Sequence, residues 1–191
     1  MKVLMATRTD GAWTFEAGAD SAVLRPAEPV FIEEPAIDWT TSVVLGIRIS
    51  RLGMHISTKN VMRHCDALAP FHILRPAVPY CAGQLPPLYR DRAISPGAWV
   101  QISELPQEFE FSASRRPLRS QPGVDIDLTS PHSLSSLFAE EAVSILSQAM
   151  TFKTGDIILF GHSALTLGPP AVDTEISASI DGRELLDIRI K

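Results

Sequence analysis

The sequence predicts a β-rich α+β fold with one main helix. Three observations predict it: many short runs of β-branched and aromatic residues, frequent turn residues between these runs, and one long amphipathic segment. Runs bounded by Gly, Pro, Asp or Asn are typical of strands. The runs interpreted as strands cover residues 2–8, 21–25, 29–33, 41–50, 98–103, 109–114, 156–160, 174–180 and 184–190.

Composition places the chain among ordinary globular proteins. Its 191 residues are 45% hydrophobic, so we expect one sizeable core and a single domain over residues 1–191. The formal net charge is -5, and Lys and Arg are scattered, which argues against nucleic acid as a partner. We find no apolar window of the roughly 18 residues that a membrane span needs, and no signal peptide. The sequence therefore predicts a cytoplasmic protein with no membrane partner and with its two cysteines as free thiols.

The C-terminal strands form the clearest local pattern. In residues 174–180 and 184–190, apolar residues alternate with polar ones, as they do in half-buried strands. Asp181-Gly182 between them is a two-residue turn signal. Residues 174–191 are therefore predicted to be a β-hairpin.

The main helix is predicted over residues 133–150. Apolar residues recur there at helical spacing, and Ser, Thr and Pro before them are typical of a helix start. The residues expected on its buried face are Leu134, Leu137, Phe138, Ala142, Ile145, Leu146 and Ala149. A second, weaker helix is predicted from Ser57 to the proline at position 70.

Two segments are predicted to be irregular. Residues 69–97 are rich in proline and are interpreted as an extended, mostly irregular crossing, which in a compact domain is often functional. The triplet Gly161-His162-Ser163 follows an apolar strand and is predicted to lie in a loop. Loops held by a rigid sheet carry many reactive groups, so this triplet is a candidate site.

Three stretches occur in a recognisable order: "RLG" at 51–53, "FKTGDIILFG" at 152–161 and the hairpin at 176–191. In this order they resemble the fumarylacetoacetate hydrolase superfamily, over roughly residues 18–191. The resemblance implies a mixed β-roll with one main helix packed on the sheet, and a homodimer. It leaves 1–17 as a diverged or shortened N-terminus. These stretches are scaffold motifs, so they indicate fold rather than chemistry.

The resemblance also implies a divalent cation such as Mg²⁺ or Mn²⁺. The family holds it with a Glu-x-Glu on the strand before Arg51 and with an Asp after the following helix. The corresponding positions here hold Ser42, Val44 and Ile73. Because hard cations need several oxygen ligands, and alternate strand residues share one face, we expect no metal and no other cofactor.

Other functional positions of the family also differ. The Arg and the last Asp of its aspartate motif correspond to Ala77 and Val78, and its Lys-Pro corresponds to Gly18-Ala19. A second Lys is expected near Leu88. Its Thr-Gly-Thr-Pro, which lines the substrate site, corresponds to residues 160–163, although Asp91 and Gly97 are retained.

Catalysis by residues that are present stays an alternative. His162 and Ser163 could act as base and nucleophile, with Asp156 or Asp173 as the orienting group. Adjacent residues of an extended segment point apart, however, and there is no Gly-x-Ser-x-Gly elbow. Asp91 is the third weak catalytic candidate.

Three further clusters of polar residues could be functional sites or ordinary solvated surface. His55, His64, Cys65 and His72 contain soft-metal ligands, but their spacing fits no zinc motif. Glu33, Glu34 and Asp38 could supply carboxylates, and Arg115, Arg116 and Arg119 could bind an anion. A solvated surface explains each cluster as well.

The sequence leaves two functional hypotheses. The first is a non-catalytic family relative, a pseudoenzyme with a binding or assembly role whose partner is a protein or a paralogue. The second is a metal-dependent hydrolase, isomerase or decarboxylase acting on small 2-oxo acids or acylpyruvates. There the cation, Mg²⁺ or Mn²⁺, would stabilise an enolate. Whether the chain is an enzyme stays open between them.

Overall fold

The computed structural model describes residues 1–26, 28–32, 38–76, 91–118 and 125–191. Its strands and α-helix are β1 (Val3–Thr9), β2 (Ala12–Gly18), β3 (Trp39–Ile49), β4 (Cys65–Pro76), β5 (Ile94–Pro96), β6 (Val100–Gln101), β7 (Phe109–Pro117), β8 (Ile126–His132), α1 (Ala139–Ala149), β9 (Ile157–Gly168), β10 (Thr174–Ile180) and β11 (Arg183–Ile190). Short 3-10 helices span Asp20–Ala22, Thr58–Arg63 and Ile102–Glu104.

The strands form two sheets. The larger has seven strands in the order β2-β1-β9-β3-β4-β5, with β6 also paired to β4, and the smaller has the order β11-β10-β7-β8. β1 and β9 pair in parallel, whereas the other pairs of named strands are antiparallel. The predicted β-rich α+β class, with one main helix packed on the sheets, is confirmed.

The central strands of the large sheet are buried on both faces. We call the first face the one that carries Val43, Leu45 and Ile47, because these residues join the main core with the small sheet and α1. The second face carries Val44 and Ile73, which belong to a separate apolar cluster. The other buried members of that cluster are Val3, Met5, Ala22, Ala69, Phe71, Ala93, Ile94, Ile157 and Leu159. Strands buried on both sides have nearly continuous apolar sequences, as β3 has.

The predicted C-terminal hairpin is confirmed. β10 and β11 pair antiparallel from Thr174–Ile190 to Ile180–Arg183. Asp181 and Gly182 join them with φ of 49° and 73°, the left-handed conformation that a tight hairpin turn requires.

The main helix is shorter than predicted. Phe138 has φ of 48°, so residues 133–138 form turns and α1 begins only at Ala139. Ser133 and Ser136 exchange hydrogen bonds in that turn, each backbone N–H donating to the other's Oγ (2.9 and 3.0 Å). Ile145, expected on the buried face, is 40% exposed.

The second predicted helix is wrong beyond its first turns. Only the 3-10 helix Thr58–Arg63 forms, and β4 begins at Cys65. Pro70 lies inside β4 opposite Leu45, where its carbonyl accepts a hydrogen bond from the Gly97 N–H (2.9 Å). Pairing with β3 therefore overrides the local propensity of this segment, as tertiary context often does.

Two shorter predictions also need correction. Residues 21–25 and 29–33 do not form the predicted strands in the described part of the chain. Residues 20–22 are helical, and Val23 and Val30 form only isolated bridges. Prolines 26 and 29, which have no N–H for a ladder, flank these runs. Of residues 69–97, those up to Pro76 are a regular strand, and residues 77–90 lie outside the described residues.

The two scaffold motifs of the sequence meet in space. Gly53 of the "RLG" stretch and Phe152 exchange backbone hydrogen bonds (3.2 and 2.8 Å). Within the described residues, we find no helix of the length and apolar character that crossing a membrane requires.

Candidate functional site on the second face of the large sheet

The three positions that the resemblance aligned with the family's metal ligands lie together. Ser42 on β3 pairs directly with Ile73 on β4, and Val44 follows Ser42 on the same face. Val44 and Ile73 are fully buried, and Ser42 is 5% exposed. The register inferred from the sequence thus places the three side chains on adjacent strands of the second face.

These side chains do not fit a divalent cation. Val44 and Ile73 carry no ligand atom, and Ser42 offers one neutral oxygen, 3.4 Å from Thr166 Oγ1 on β9. Hard cations such as Mg²⁺ are held by carboxylates and several other oxygens. Among the described residues, no group of three His, Cys, Asp or Glu side chains is placed to hold a metal ion.

One positively charged side chain, that of Arg75, lies on this face. Arg75 lies two residues after Ile73 on β4, and its Nη2 is 3.4 Å from Met5 Sδ on β1. In the sheet, β3 and β9 separate β4 from β1. The Arg75 side chain therefore contacts a strand that is not a neighbour of its own in the sheet.

Gly161 lies next to the end of this side chain. A Cβ at Gly161 would clash with Thr7 Oγ1 and would lie 3.3 Å from Met5 Sδ, the atom that Arg75 contacts. A glycine is thus required where β9 approaches β1 closely. The guanidinium and Gly161 thus both lie close to Met5 Sδ, and the resemblance aligned residues 160–163 with the family's substrate segment.

Glu16 is the acidic group whose charge acts on the Arg75 guanidinium, which is only partly hydrogen-bonded within the described residues. Its Nε is buried without a hydrogen-bond partner. Burial lowers the pKa of Arg75, and the charge of Glu16 offsets part of that effect. None of the ion pairs among the described residues includes Arg75. Arg48, in contrast, donates to both carboxylate oxygens of Asp66 (2.9 and 2.7 Å).

The triplet Gly161-His162-Ser163 lies inside β9 and not in a loop, which corrects the prediction. Opposite β3, the register jumps where Leu45 pairs with Phe160 and Val43 with Leu165, so the triplet forms a bulge. Ser163 is buried, and its Oγ accepts from the Leu45 N–H (2.9 Å) and donates to the Phe160 carbonyl (2.7 Å). Ser163 thus satisfies backbone groups that the bulge leaves unpaired.

His162 turns away from this hydroxyl. Its Nε2–H donates to the Leu137 carbonyl (3.1 Å), and its ring packs against Trp13, Phe138 and Phe160. Burial lowers the pKa of His162. In the described residues, no hydrogen bond joins His162 to Ser163, so these side chains are not assembled as a base and a nucleophile.

Asp91 and the two orienting candidates lie in turns. Asp91 is exposed, and Asp173 has φ of 59°. Asp156 is buried and accepts hydrogen bonds from the Lys153 N–H and from Lys2 N and Nζ (2.8, 2.8 and 3.0 Å). Burial raises the pKa of Asp156, but these hydrogen bonds outweigh it and hold the pKa below its usual value. Asp156 therefore closes the turn before β9.

The histidine and cysteine candidates are dispersed. His55 contacts Gln148 (3.0 Å), whereas His72 is fully buried in β4. His64 Nδ1 lies 3.3 Å from the carbonyl oxygen of Arg51. Burial raises the pKa of the Cys65 thiol to about 12, so this thiol is unreactive.

The remaining charged candidates lie at the surface or outside the described residues. Asp38 is exposed, Arg115 donates to the Pro169 carbonyl, and Arg116 lies 3.5 Å from Asp127. Glu33, Glu34 and Arg119 fall outside the described residues.

Sequence reasoning missed Arg75 and Thr166. The signal for Arg75 was its position two residues after Ile73, which places it on the same strand face. Nothing in the sequence indicated that its side chain would extend as far as β1.

Comparisons with known proteins identify the fold through structure and not through sequence. The sequence matches no family model and no curated protein. A 2-hydroxyhepta-2,4-diene-1,7-dioate isomerase from Mycobacterium marinum is 19% identical, with a TM-score of 0.79 over 99% of this chain and 73% of that chain. A fumarylpyruvate hydrolase from Pseudomonas aeruginosa, solved with Mn²⁺ and pyruvate, is 16% identical, with a TM-score of 0.76 over 100% of this chain and 89% of that chain.

A third structure carries the family name itself. A protein assigned to the fumarylacetoacetate hydrolase family from Yersinia pestis CO92 is 16% identical, with a TM-score of 0.77 over 100% of this chain and 92% of that chain. The resemblance stated from the sequence is thereby confirmed for the fold: this chain has the fold of the fumarylacetoacetate hydrolase family. Fold alone does not fix chemistry, which depends on the site.

Proposed function

We propose that this chain is a non-catalytic member of the fumarylacetoacetate hydrolase family, a pseudoenzyme whose retained fold serves a binding role. One observation carries the proposal. Ser42, Val44 and Ile73, which the resemblance aligns with the metal ligands, offer one neutral oxygen between them, and Arg75 lies on the same face. A fixed positive charge there repels a divalent cation, and no carboxylate of this triad is present to offset it.

The consequence for catalysis is direct. In the metal-dependent mechanism, the cation stabilises the enolate that forms when a carbon–carbon bond breaks or a proton moves. A guanidinium donates hydrogen bonds but supplies no open coordination site. His162 and Ser163, the residues at the substrate segment, are engaged with backbone carbonyls and an N–H. Neither group is free to replace the metal.

The second candidate function is the metal-dependent enzyme acting on small 2-oxo acids or acylpyruvates. The fold likeness favours it, since the similar structures include a fumarylpyruvate hydrolase with Mn²⁺ and pyruvate. This function requires oxygen ligands from residues other than Ser42, Val44 and Ile73.

Calorimetric titration separates the two candidates. The purified protein is titrated with Mg²⁺ and with Mn²⁺, with and without oxaloacetate or an acylpyruvate, and substrate absorbance is then followed for turnover. We expect neither metal binding nor turnover. Micromolar metal binding accompanied by turnover would establish the enzyme and overturn the proposal.

A further inference from the structure

β2 forms an open edge of the large sheet. It pairs with β1 along its whole length, from Ala12 to Gly18, and with no other strand among the described residues. Most of its residues are exposed, and the side chain of Phe15 is among the exposed large apolar groups of the chain. An open edge presents unpaired backbone N–H and C=O groups, which are a template for another strand.

The other sheet edges of the described residues are protected. β5 and β6 are only three and two residues long, and β8 contains Pro131. The outer side of β11 is covered by Val30, whose N–H donates to the Arg189 carbonyl (2.9 Å) and whose carbonyl accepts from the Lys191 N–H (2.8 Å). Short strands, prolines and covering segments prevent edge-to-edge pairing of natural sheets. β2, in contrast, has seven residues and contains neither proline nor lysine.

The turn before β2 fixes which of its backbone groups face outward. Asp10 and Gly11 have φ of 51° and 80°, which is typical of a two-residue type I′ hairpin turn. Such a turn joins its flanking residues, Thr9 and Ala12, by hydrogen bonds, and hydrogen-bonded and non-hydrogen-bonded pairs then alternate along the ladder. The residues whose backbone groups point away from β1 are therefore Trp13, Phe15 and Ala17.

The side chains of these three residues lie on the first face of the sheet. Trp13 packs against the main core, and the ring of Phe15 stacks on it with 5.7 Å between the ring centroids and 5° between the planes. Ala17, two residues further along the strand, is exposed and small. The outward-facing row thus has a large aromatic side chain at one end, an exposed aromatic ring in the middle and a methyl group at the other end.

We propose that β2 pairs antiparallel with β2 of a second copy of this chain, about a two-fold axis at Phe15. In this register Phe15 lies opposite the partner's Phe15, and Trp13 lies opposite the partner's Ala17, so the large side chain meets the small one. All three outward-facing residues exchange backbone hydrogen bonds across the axis. On the second face, Glu16 lies opposite the partner's Thr14. The homodimer that the resemblance implies thereby has a specific surface and register.

Neighbouring registers are less favourable. An axis at Glu16 would bring two carboxylates directly opposite each other, and like charges in that position are destabilising. An axis at Thr14 would place Ala17 beyond the end of the partner's β2, so its outward N–H and C=O would stay unpaired. The register centred on Phe15 therefore uses the whole edge without a repulsive pair. This inference does not depend on the proposed function, because an enzyme and a pseudoenzyme can both associate in this way.

The first test is sedimentation velocity of the full chain over a range of concentrations. Pairing of one strand buries a small interface, so we expect a dimer that dissociates on dilution, with a dissociation constant on the order of 10 µM. Phe15→Lys should weaken association by at least about tenfold, because it places two ammonium groups opposite each other and removes the aromatic pair. Leu52→Lys makes the same kind of change at a position that is 69% exposed and should leave association unchanged.

Amide hydrogen exchange of the ¹⁵N-labelled full chain identifies the edge itself. In the monomer, the outward N–H groups of Trp13, Phe15 and Ala17 should exchange fast, whereas those of Thr14 and Glu16, which face β1, should be protected. At high concentration all five should be protected. Ala17→Pro removes one outward N–H and leaves the ladder with β1 intact, so it should weaken association without a charge. Thermal melting of each variant confirms that it is folded.

Three outcomes would overturn the pairing. The first is a chain that stays monomeric at the highest concentration. The second is a dimer that Phe15→Lys and Ala17→Pro leave intact, or that Leu52→Lys weakens as much as they do, since the interface would then lie elsewhere. The third is protection of the outward amides in the monomer, which would show that the chain itself covers the edge. The metal titration measures none of these quantities, so either proposal can fail while the other holds.

Discussion

The two faces of the large sheet are built from the same strands but bury different chemistry. On the first face, Val43, Leu45 and Ile47 belong to the main apolar core, in which the buried imidazole of His72 lies opposite Val43. On the second face, Val44 and Ile73 share their surroundings with a hydroxyl, Ser42, and a charge, Arg75. Because neighbouring residues of a strand point to opposite faces, the chemistry of one face can change without altering the core on the other.

This separation explains how a fold can be shared by sequences that differ widely. Two structures that are 19% and 16% identical to this chain have TM-scores of 0.79 and 0.76 with it. The first face needs only apolar residues of suitable volume, a condition that many sequences meet. The second face needs particular ligand atoms, and a single substitution removes them.

The largest effect is expected on the first face. Leu45→Ala removes a fully buried side chain and leaves a cavity, so it should lower the free energy of unfolding by about 2–5 kcal/mol. Urea unfolding followed by circular dichroism measures it. Leu52→Ala, at a position that is 69% exposed, is the control and should change little. Equal losses in the two variants would contradict the assignment of the core to the first face.

The second-largest loss of stability is expected at the bulge in β9. Ser163→Ala leaves the buried Leu45 N–H and Phe160 carbonyl without their side-chain partner, at a cost of about 1–3 kcal/mol. Urea unfolding again measures the loss. Ser135→Ala at an exposed position is the matched control. A Ser163→Ala protein as stable as the wild type would show that Ser163 is not retained for the bulge.

The third effect depends on pH. His72 is fully buried, neither ring nitrogen has a hydrogen-bond partner, and burial lowers its pKa to about 3. In the unfolded chain the pKa is about 6.5, so below that pH the unfolded state binds a proton that the folded state does not. Stability from this group is therefore lost as the pH falls, by about 1 kcal/mol between pH 7 and 5.5.

His72→Leu isolates this contribution. The variant has a similar volume and no titrating ring, while His132 and His162 titrate in both proteins and cancel. Urea unfolding at pH 7, 6.5, 6 and 5.5 should show the variant losing less stability than the wild type. Parallel pH profiles would indicate that His72 is not held neutral by burial.

The elements that sequence reasoning predicted are those specified by neighbouring residues. The hairpin at 174–191 has its alternation and its Asp181-Gly182 turn within a short segment, so local rules suffice. β4 was predicted in part as a helix because its strand conformation depends on β3, a distant partner. α1 began late because Phe138 adopts a left-handed conformation that no local pattern indicates.

The candidate site also has some features that could be predicted from the sequence and others that depend on distant contacts. Ser42, Val44 and Ile73 were singled out by the family resemblance, and the sheet pairing has them on one face. The contact of Arg75 with Met5 could not be predicted, because it depends on how far a flexible side chain extends across two intervening strands. The bulge at residues 161–163 is likewise a matter of pairing between β9 and β3.

The smallest effect on stability is expected at Arg75 itself. Replacing a partly paired, largely enclosed charge by an apolar side chain of similar length is often neutral, so Arg75→Met should change the free energy of unfolding by less than about 1 kcal/mol. Arg48→Met should lose more in the same urea experiment, since it leaves Asp66 without its partner and removes the contact of the guanidinium with the Trp99 ring. A large loss in Arg75→Met would show that this side chain serves as a structural tie between β4 and β1. Its charge on the second face would then be explained by the fold.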